Sequence, residues 1–518
     1  MKKIYLLSPI LFFFITSFGQ PLNSKQIDSL VELTLKTFNV PGIAVGVVKD
    51  GKLIHSKGYG VANLETGKKV DEFTLFGIAS NSKAFTTAAI SMLVEEGKMK
   101  WDDKVTDHLP GFKMYDPYVT EAFTVRDLVT HRSGLGLGAG DLMMWPDGSN
   151  FSKGDIIHNL RYLKPVSAFR TKYDYDNNLY IVAGEVISKV AGIPWEDFIE
   201  QRIMKPLGFQ HSAASLSRLK DKSNMIRPHA PVDGSLKVID INCSETANAA
   251  GGIWSNINDL SKWVILQLNH GRYGDGLSKK LFSESIHEEM WSPQTIIKSV
   301  TALPYNTHFS AYGLGWFLSD IKGYKQVTHT GGLAGIVTQV VLFPELNLGI
   351  MVLTNQQSGA AFSSISNTIK DGYLGITGQN WVKSFSDREK KGFADAEKIK
   401  QKVNADIAEA QQKQGKLFDF NSYFGTYHDE WFGDIILSTK NGKPWISSVR
   451  SPKLEGELLS YKGNTLIAKW TDRSMDADAF LYFNLDRNGK PNGFTMEAIS
   501  PLTDFSFDFQ DLDLKRIK

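Results

Sequence analysis

An apolar run rich in β-branched residues occupies positions 43–48, and a second β-rich run follows it to position 59. The dipeptide Asp50-Gly51 joins the two runs. Asp-Gly is a favoured two-residue hairpin turn, so this pattern predicts a β-hairpin.

Apolar runs with helix start and stop residues follow the hairpin. They predict helices over residues 80–96, 124–130, 179–190 and 195–204. Two β-rich runs, at residues 335–344 and 348–354, return to strand character. Strands at both ends with helices between them predict an α+β domain whose sheet joins its N- and C-terminal parts.

The composition changes after this domain. Residues 384–415 are charged and helix-favouring, which predicts a helical linker. Beyond it, short β-rich runs alternate with the turn dipeptides Asn441-Gly442, Asn488-Gly489 and Asn492-Gly493, which predict a small all-β domain. The expected organisation is therefore an α+β domain over residues 20–383, a linker over 384–415 and a β domain over 416–518.

The N-terminus has the pattern of a secretory signal. Two lysines after Met1 precede an apolar run, and Gly19 before Gln20 is a suitable cleavage point. We expect residues 1–19 to be a cleaved signal peptide and the protein to be periplasmic or secreted. An uncleaved anchor is the alternative, although the apolar run is short for a membrane span.

Composition excludes several classes of protein. A hydrophobic content of 42% is that of a globular protein, and a net charge of +2 indicates neither nucleic acid nor an anionic membrane as a partner. The single cysteine, Cys243, excludes an intramolecular disulfide. Without a neighbouring histidine or cysteine cluster, Cys243 is expected to be a small buried residue.

The sequence Ser80-Asn-Ser-Lys83 stands where a turn enters a predicted helix. Residues three apart share a helix face, so the lysine amine can reach the serine hydroxyl and accept its proton. The spacing alone is weak evidence, because Ser217/Lys220 and Ser319/Lys322 repeat it. Only Ser80 is followed by a long apolar helix.

Two further motifs follow in order. Tyr175-Asp-Asn177 lies on a loop before a helix, and a tyrosine whose acidity is raised by nearby positive charge can handle the second proton of such a reaction. His329-Thr330-Gly331-Gly332 begins the late strand pair, where glycines let a substrate backbone approach closely.

These motifs, with Thr130-His131-Arg-Ser-Gly134 between the first two, resemble the serine β-lactamase and penicillin-binding family over roughly residues 25–375. The chain is most similar to the class C-related branch of D-aminopeptidases, DD-carboxypeptidases and esterases. Residues 251–263 resemble a recurrent segment of that branch, and the C-terminal region resembles a lipocalin-like accessory domain. The family resemblance implies that the sheet of the α+β domain is antiparallel.

The resemblance implies an acyl-enzyme on Ser80, with Lys83 and Tyr175 moving protons and no metal or organic cofactor. It places the oxyanion donors at the backbone N–H groups of Ser80 and Gly332, and a substrate-positioning role at Asn177. Lysine is usual at position 329 in relatives that hydrolyse β-lactams, so a largely neutral histidine weakens that activity.

The expected function is therefore an exported peptidase or amidase that favours peptides containing D-amino acids. A carboxylesterase and a β-lactamase are alternatives, as is a penicillin-binding sensor or cell-wall-peptide-binding protein without turnover. The sequence does not indicate an oligomeric state.

Several other polar or apolar residues have competing interpretations. Asp176 either favours a substrate amine or points to solvent. His131 is expected to be structural, and the pair Glu288-Glu289 a solvated helix face. Met143, Met144 and Trp145 either line a substrate wall or pack in the core.

Overall fold

The computed structural model describes residues 20–232, 234–413 and 419–517. The predicted signal peptide, residues 1–19, lies outside the described residues. The helices are α1 (Ser24–Phe38), α2 (Ser82–Glu95), α3 (Val105–His108), α4 (Pro117–Ala122), α5 (Val125–Leu128), α6 (Lys153–Asn159), α7 (Asn178–Ala191), α8 (Trp195–Ile199), α9 (Lys205–Leu207), α10 (Asn248–Gly251), α11 (Ile257–Leu268), α12 (Glu284–Met290), α13 (Gly359–Tyr373) and α14 (Trp381–Lys413).

Strands lie at both ends of the first domain and throughout the second. Those of the first domain are β1 (Gly42–Lys49), β2 (Lys52–Gly60), β3 (Phe76–Gly77), β4 (His229–Val232), β5 (Ser235–Val238), β6 (Trp254–Ser255), β7 (Arg272–Tyr273), β8 (Lys279–Lys280), β9 (Thr295–Ile297), β10 (Ser310–Tyr312), β11 (Phe317–Ile321), β12 (Tyr324–Leu333), β13 (Ile336–Phe343) and β14 (Leu348–Thr354). Those of the second are β15 (Gly425–Asp429), β16 (Gly433–Lys440), β17 (Lys443–Ser448), β18 (Glu455–Ser460), β19 (Thr465–Trp470), β20 (Ala479–Leu485), β21 (Pro491–Ala498) and β22 (Leu514–Arg516).

The main sheet has eight strands in the order β2-β1-β14-β13-β12-β11-β10-β9, and its pairs are antiparallel. The predicted hairpin is β1 and β2, and the late strands β13 and β14 pair with each other and with β1. This confirms an α+β domain whose sheet joins the two ends of the domain.

Strand β1 is buried on both faces, which explains its unbroken apolar run. Val45 and Val47 pack in the cluster that contains α1 and α13, whereas Ala44 and Val48 pack in the larger cluster with α2, α7 and α11. The sheet therefore lies between two helical layers, and the second layer carries the predicted Ser80 helix.

Residues 384–413 of the predicted charged linker lie in the single helix α14, which begins at Trp381, and residues 414–415 lie outside the described residues. The Trp381 indole donates to Asp371 in α13, over 2.6 Å. Farther along, Val403 and Ile407 pack against Ile467 of the second domain. The helix thus contacts both domains. The domain boundaries themselves stay a prediction.

Strands β15 to β22 form a closed, antiparallel, eight-stranded barrel. This agrees with the predicted all-β domain and fits the lipocalin-like resemblance loosely. One predicted turn is wrong, because Asn492-Gly493 lies inside β21. A Cβ on Gly493 would lie 2.5 Å from the Leu514 carbonyl oxygen, so this glycine permits close pairing with β22.

The connection between β21 and β22, residues 499–513, leaves the barrel and contacts the α+β domain at the Ser80 cavity. Among the helices of the described residues, none combines the length and the apolar character needed to cross a bilayer.

Candidate active site

Ser80 lies in a short 3-10 turn, Ala79–Asn81, that leads directly into α2. Ala79 has a φ of 48°, a left-handed conformation that is unfavourable for a residue with a Cβ. Hydrogen bonds hold the turn: Asn81 Nδ2 donates to Thr338 Oγ1 over 2.8 Å, and Thr338 Oγ1 donates to the Ile78 carbonyl over 2.9 Å. The strained turn fixes the serine hydroxyl at the cavity wall.

Lys83 is completely buried and lies below Ser80. Its Nζ is 3.0 Å from Ser80 Oγ, 2.7 Å from Asn177 Oδ1 and 3.0 Å from the Ala250 carbonyl oxygen. The last two atoms can only accept hydrogen bonds. An ammonium can donate to all three oxygen atoms, whereas a neutral amine can donate to these two and use its lone pair to accept from the Ser80 hydroxyl.

Burial favours the neutral form of the Lys83 amine. It lowers the pKa of Lys83 to about 7, although the nearby Asp141 and Asp176 raise it in part. A lysine with this pKa is half deprotonated near neutral pH and is therefore suited to be the base for Ser80.

Tyr175 contacts both Ser80 and Lys83. Its ring centroid is 4.7 Å from Lys83 Nζ, and its hydroxyl forms a hydrogen bond with Ser80. The sequence-based expectation of a more acidic tyrosine is wrong: burial raises the pKa of Tyr175, which the Ser80 hydrogen bond lowers only in part. Because Lys83 is not a fixed cation, Tyr175 remains a phenol and can donate a proton.

Asn177 connects the lysine to a residue that the sequence analysis missed. Asn177 Nδ2 donates to Asp141 Oδ2 over 2.8 Å, which orients its Oδ1 towards Lys83. Asp141 is completely buried and begins a short 3-10 helix, Asp141–Met143, in the connection between α5 and α6. No local motif marks it, so the sequence offered no signal for its part in the site.

The predicted His329-Thr-Gly-Gly motif is the end of β12, next to the Ser80 turn. A Cβ on Gly331 would clash with the Ile78 carbonyl oxygen, whereas a Cβ on Gly332 would have no neighbour within 4 Å. Gly331 therefore lets the strand approach the turn, and Gly332 leaves space at the cavity. Thr330 and Gly332 line the cavity, and Gly331 lies behind it.

His329 is buried and neutral. Its Nδ1 is 2.6 Å from the Thr330 carbonyl, which assigns the proton to that nitrogen, and its Nε2 accepts from the Tyr312 hydroxyl over 3.0 Å. Burial, reinforced by Lys83, lowers the pKa of His329 to about 3. At pH 7 the imidazole carries no charge for a substrate carboxylate.

The Ser80 cavity has a volume of about 420 Å³. Both domains line it, with Ser80, Leu137, Met144, Trp145, Tyr173, Tyr175, Asn177, Ser244, Ala247, Ala250, Gly251, Phe317, His329, Thr330, Gly332, Leu333, Asp504, Phe505 and Ser506. Within this set of described residues there is no lysine or arginine, and Asp504 supplies the one carboxyl group. The wall is therefore mainly apolar and has no fixed positive charge.

The structure also resolves the open interpretations of the apolar residues. Met144 and Trp145 line the cavity, but Met143 packs in the core. Cys243 is buried, and burial raises its pKa to about 12, which leaves an inert thiol.

Neither proposed position of Asp176 is correct. Its side chain is completely buried, away from solvent and outside the cavity lining. It accepts a hydrogen bond from the Leu179 N–H in the first turn of α7, and burial raises its pKa to about 7. Its backbone N–H donates to His131 Nδ1 over 3.0 Å, which gives His131 a structural role.

The predicted solvated pair Glu288-Glu289 lies on α12. Glu289 forms an ion pair with Arg126 over 2.8 Å.

The described residues contain no group of three or more histidine, cysteine, aspartate or glutamate side chains placed to hold a metal ion.

Comparison with known proteins finds one family match before α14 and another after it. The C-terminal region, residues 416–516, matches a domain of unknown function, DUF3471. The unguisins hydrolase ungD' of Aspergillus campestris is 31% identical over 349 residues, which cover 65% of this chain and 62% of that protein. Protein flp of Staphylococcus aureus is 29% identical over 347 residues, which cover 65% of this chain and 64% of that protein. The match thus spans less than two thirds of these relatives.

The octameric penicillin-binding protein homologue from Pyrococcus abyssi has the same fold. Its TM-score is 0.60 at 22% identity, and the match covers 93% of this chain and 99% of that structure. The Beta-lactamase family matches residues 27–370, which include Ser80, Lys83, Tyr175 and the His329 strand. This chain therefore belongs to the Beta-lactamase family of serine hydrolases.

Proposed function

We propose that this protein is an exported peptidase or amidase that forms an acyl-enzyme on Ser80 and favours peptides with a D-amino acid at or near the cleaved bond. The observation that carries the proposal is the contact of Ser80 with Lys83, a buried amine whose two other partners only accept hydrogen bonds. The D-preference rests on the resemblance to D-aminopeptidases and DD-carboxypeptidases.

The proposed reaction takes its roles from the family resemblance, and the contacts of Lys83 and Tyr175 with Ser80 support them. Lys83 accepts the Ser80 proton as Oγ attacks the substrate carbonyl, and the oxyanion forms between the Ser80 and Gly332 backbone N–H groups. Tyr175 donates its proton to the leaving amine and regains one from Lys83. Water then repeats these steps against the acyl-enzyme and releases the acid, so that protons balance over the cycle.

The cavity wall favours uncharged or amine-bearing substrates. His329 is neutral, and no lysine or arginine among the described residues lines the cavity, so a substrate carboxylate has no fixed cation to bind. This disfavours a β-lactamase and a carboxypeptidase that needs a free C-terminus. Two relatives carry the name hydrolase, which supports turnover over a sensor role.

An esterase is the second candidate. The apolar lining of the cavity favours an acyl group without charge, and the same acyl-enzyme site cleaves an ester more readily than an amide. Export is part of the proposal because of the basic and apolar N-terminus. Detection of a chain that begins at Gln20 outside the cytoplasm would support it.

The decisive experiment compares wild type with Ser80→Ala on D- and L-aminoacyl amides, a D-Ala-D-Ala peptide, a p-nitrophenyl ester and nitrocefin. Ser319→Ala is the matched control, since Ser319 also has a lysine three residues later but lies on β11, outside the cavity lining. D-amide turnover that is lost only in Ser80→Ala supports the proposal. Ester turnover alone assigns an esterase, and a stoichiometric burst assigns a sensor. Full activity in Ser80→Ala would refute the nucleophile.

A further inference from the structure

The segment between β21 and β22 is fastened to the α+β domain by Asp508. The buried carboxylate of Asp508 accepts hydrogen bonds from the backbone N–H groups of Gly140, over 2.6 Å, and Leu142, over 2.9 Å. These two residues flank Asp141. The barrel therefore holds the loop that carries the Asp141 side chain.

Ser506 extends this contact to the chemistry. Its buried hydroxyl donates to Asp141 Oδ2 over 2.9 Å, the same oxygen that accepts from Asn177 Nδ2 over 2.8 Å. Asn177 Oδ1 in turn accepts from Lys83 over 2.7 Å. A continuous chain of three hydrogen bonds thus joins the barrel to the lysine beside Ser80.

Asp141 depends on these two donors. Burial raises its pKa well above the ordinary value, and the hydrogen bonds from Asn177 and Ser506 oppose that effect. Its other oxygen, Oδ1, has no hydrogen-bond partner among the described residues. Loss of the Ser506 hydroxyl would leave Asn177 as the one side-chain donor to this carboxyl group among the described residues.

We propose that Ser506 is a positioning residue: through Asp141 and Asn177 it directs the Lys83 amine at Ser80, so that the barrel tunes the base of the α+β domain. The inference rests on the proposed function only in taking Lys83 as that base.

Several titratable groups affect the charges of Lys83 and Asp141. The titratable groups that face Lys83 are Tyr175, Tyr180, Asp141, Asp176, His131 and His329. Those that face Asp141 are Lys83, Tyr175, Asp176 and Asp508. A negative Asp141 raises the pKa of Lys83. Removal of the Ser506 hydroxyl makes Asp141 harder to ionise, so the acidic limb of the reaction should move to lower pH.

The test measures, from pH 5 to 9, the rate at which a fluorophosphonate probe labels Ser80 in the full chain. We expect Ser506→Ala to lower the plateau rate roughly 10-fold, because Asn177 loses its fixed orientation. The acidic limb should also move to lower pH, and Ser506→Thr should restore both. A loosened structure alone would lower the rate without this shift.

Thr503→Ala is the matched control. Thr503 lies in the same segment as Ser506, but its hydroxyl donates to the carbonyl of Asp476, between β19 and β20, over 2.9 Å. Among the described residues, the side-chain donors to Asp141 are Asn177 and Ser506. If Ser506→Ala fails to fold, Asp141→Asn provides the test instead. This variant removes the charge that raises the pKa of Lys83, so its acidic limb must also move to lower pH. In that background, Ser506→Ala should add no further shift.

The outcomes separate the two proposals. An unshifted limb in Ser506→Ala or in Asp141→Asn, with normal labelling of the wild type, overturns the role of Ser506 and leaves the proposed function intact. No labelling of the wild type at any pH overturns the proposed function itself.

Discussion

The ring of Phe505, from the C-terminal barrel, meets the ring of Tyr175 edge to face, with centroids 6.0 Å apart and an interplanar angle of 82°. Phe505 also lies against Gly138, where a Cβ would be 2.8 Å from Phe505 Cδ2. The barrel therefore supplies an apolar part of the wall beside the Ser80 site, so we expect both domains to contribute to substrate specificity.

Phe505→Ala should weaken binding of substrates with apolar side chains. Removal of the ring leaves apolar substrate surface in contact with water, which should raise KM about 10-fold and leave kcat nearly unchanged. Steady-state kinetics on a series of aminoacyl amides with alanine, leucine and phenylalanine side chains would measure this. Leu502→Ala, at an exposed position in the same segment but outside the cavity lining, should match wild type. An equal loss for all three side chains would contradict the prediction.

The acidic limb of kcat/KM should lie near pH 7. The pKa of Lys83 is lowered to about 7, so the amine is protonated below that pH and cannot accept the Ser80 proton. With an uncharged ester, kcat/KM should fall about tenfold for each pH unit below 7. Because the pKa of Asp176 is also about 7, Asp176→Asn is the control. The Asp176→Asn variant should still show an acidic limb, displaced to lower pH because the charge of Asp176 no longer raises the pKa of Lys83. A flat profile down to pH 5 would exclude Lys83 as the base.

Tyr175→Phe should separate amides from activated esters. Burial raises the pKa of Tyr175, so the phenol keeps its proton at neutral pH and can give it to a leaving amine. Loss of this donor should reduce kcat for an amide by roughly 100-fold or more. A p-nitrophenyl ester, whose leaving group needs no proton, should lose much less. Equal losses for both substrates would indicate that Tyr175 serves another step.

The local motifs of the sequence were sufficient to predict much of this site. Ser80, Lys83, Tyr175, Asn177 and His329 lie around one cavity or directly beneath it. Each motif joins residues that are close in sequence and stand at the end of a helix or strand, where local spacing determines which side chains meet.

The rest of the site depends on contacts that local spacing does not encode. Ser506 and Asp141 are 365 residues apart, and both lie in connections between the main helices and strands, which carry no periodic signal. The charge states of Tyr175 and Asp176 could not be predicted from the sequence either, because their pKa values depend on burial. Burial depends on how the two domains and their loops pack.

Asp127 should be a main source of stability for the loop around His131. Its buried carboxylate accepts from Arg132 Nε over 2.8 Å and from Arg170 Nε over 2.9 Å. Asp127→Ala leaves both guanidinium groups without this partner and should lower the free energy of unfolding by roughly 3–5 kcal/mol in urea. Asp116→Ala, which removes the exposed cap of α4, should cost only about 1 kcal/mol.

Asp127 should also make the stability depend on pH. Burial alone would raise its pKa, but hydrogen bonds from Arg170 and Thr124 and the charge of Arg132 outweigh burial and hold the pKa below its ordinary value. Its contribution is therefore present above the pKa of the unfolded chain and is lost as the pH falls through the folded value. If Asp127→Ala and wild type lost stability in parallel below pH 4, this assignment would be wrong.

Replacement by alanine should affect the two adjacent glycines of β12 differently: stability should fall at Gly331, and activity alone should fall at Gly332. A Cβ on Gly331 would clash with the Ile78 carbonyl oxygen and lie 2.9 Å from Ala79 Cβ, so Gly331→Ala should displace the Ser80 turn and lower stability by about 1–3 kcal/mol. Gly332→Ala meets no protein atom within 4 Å, so it should keep the wild-type Tm. Because Gly332 lines the cavity, the added methyl group should occupy substrate space and reduce kcat/KM at least 10-fold. Thermal unfolding and kinetics on the same preparations separate the two effects, and a wild-type Tm for Gly331→Ala would contradict the close approach of strand and turn.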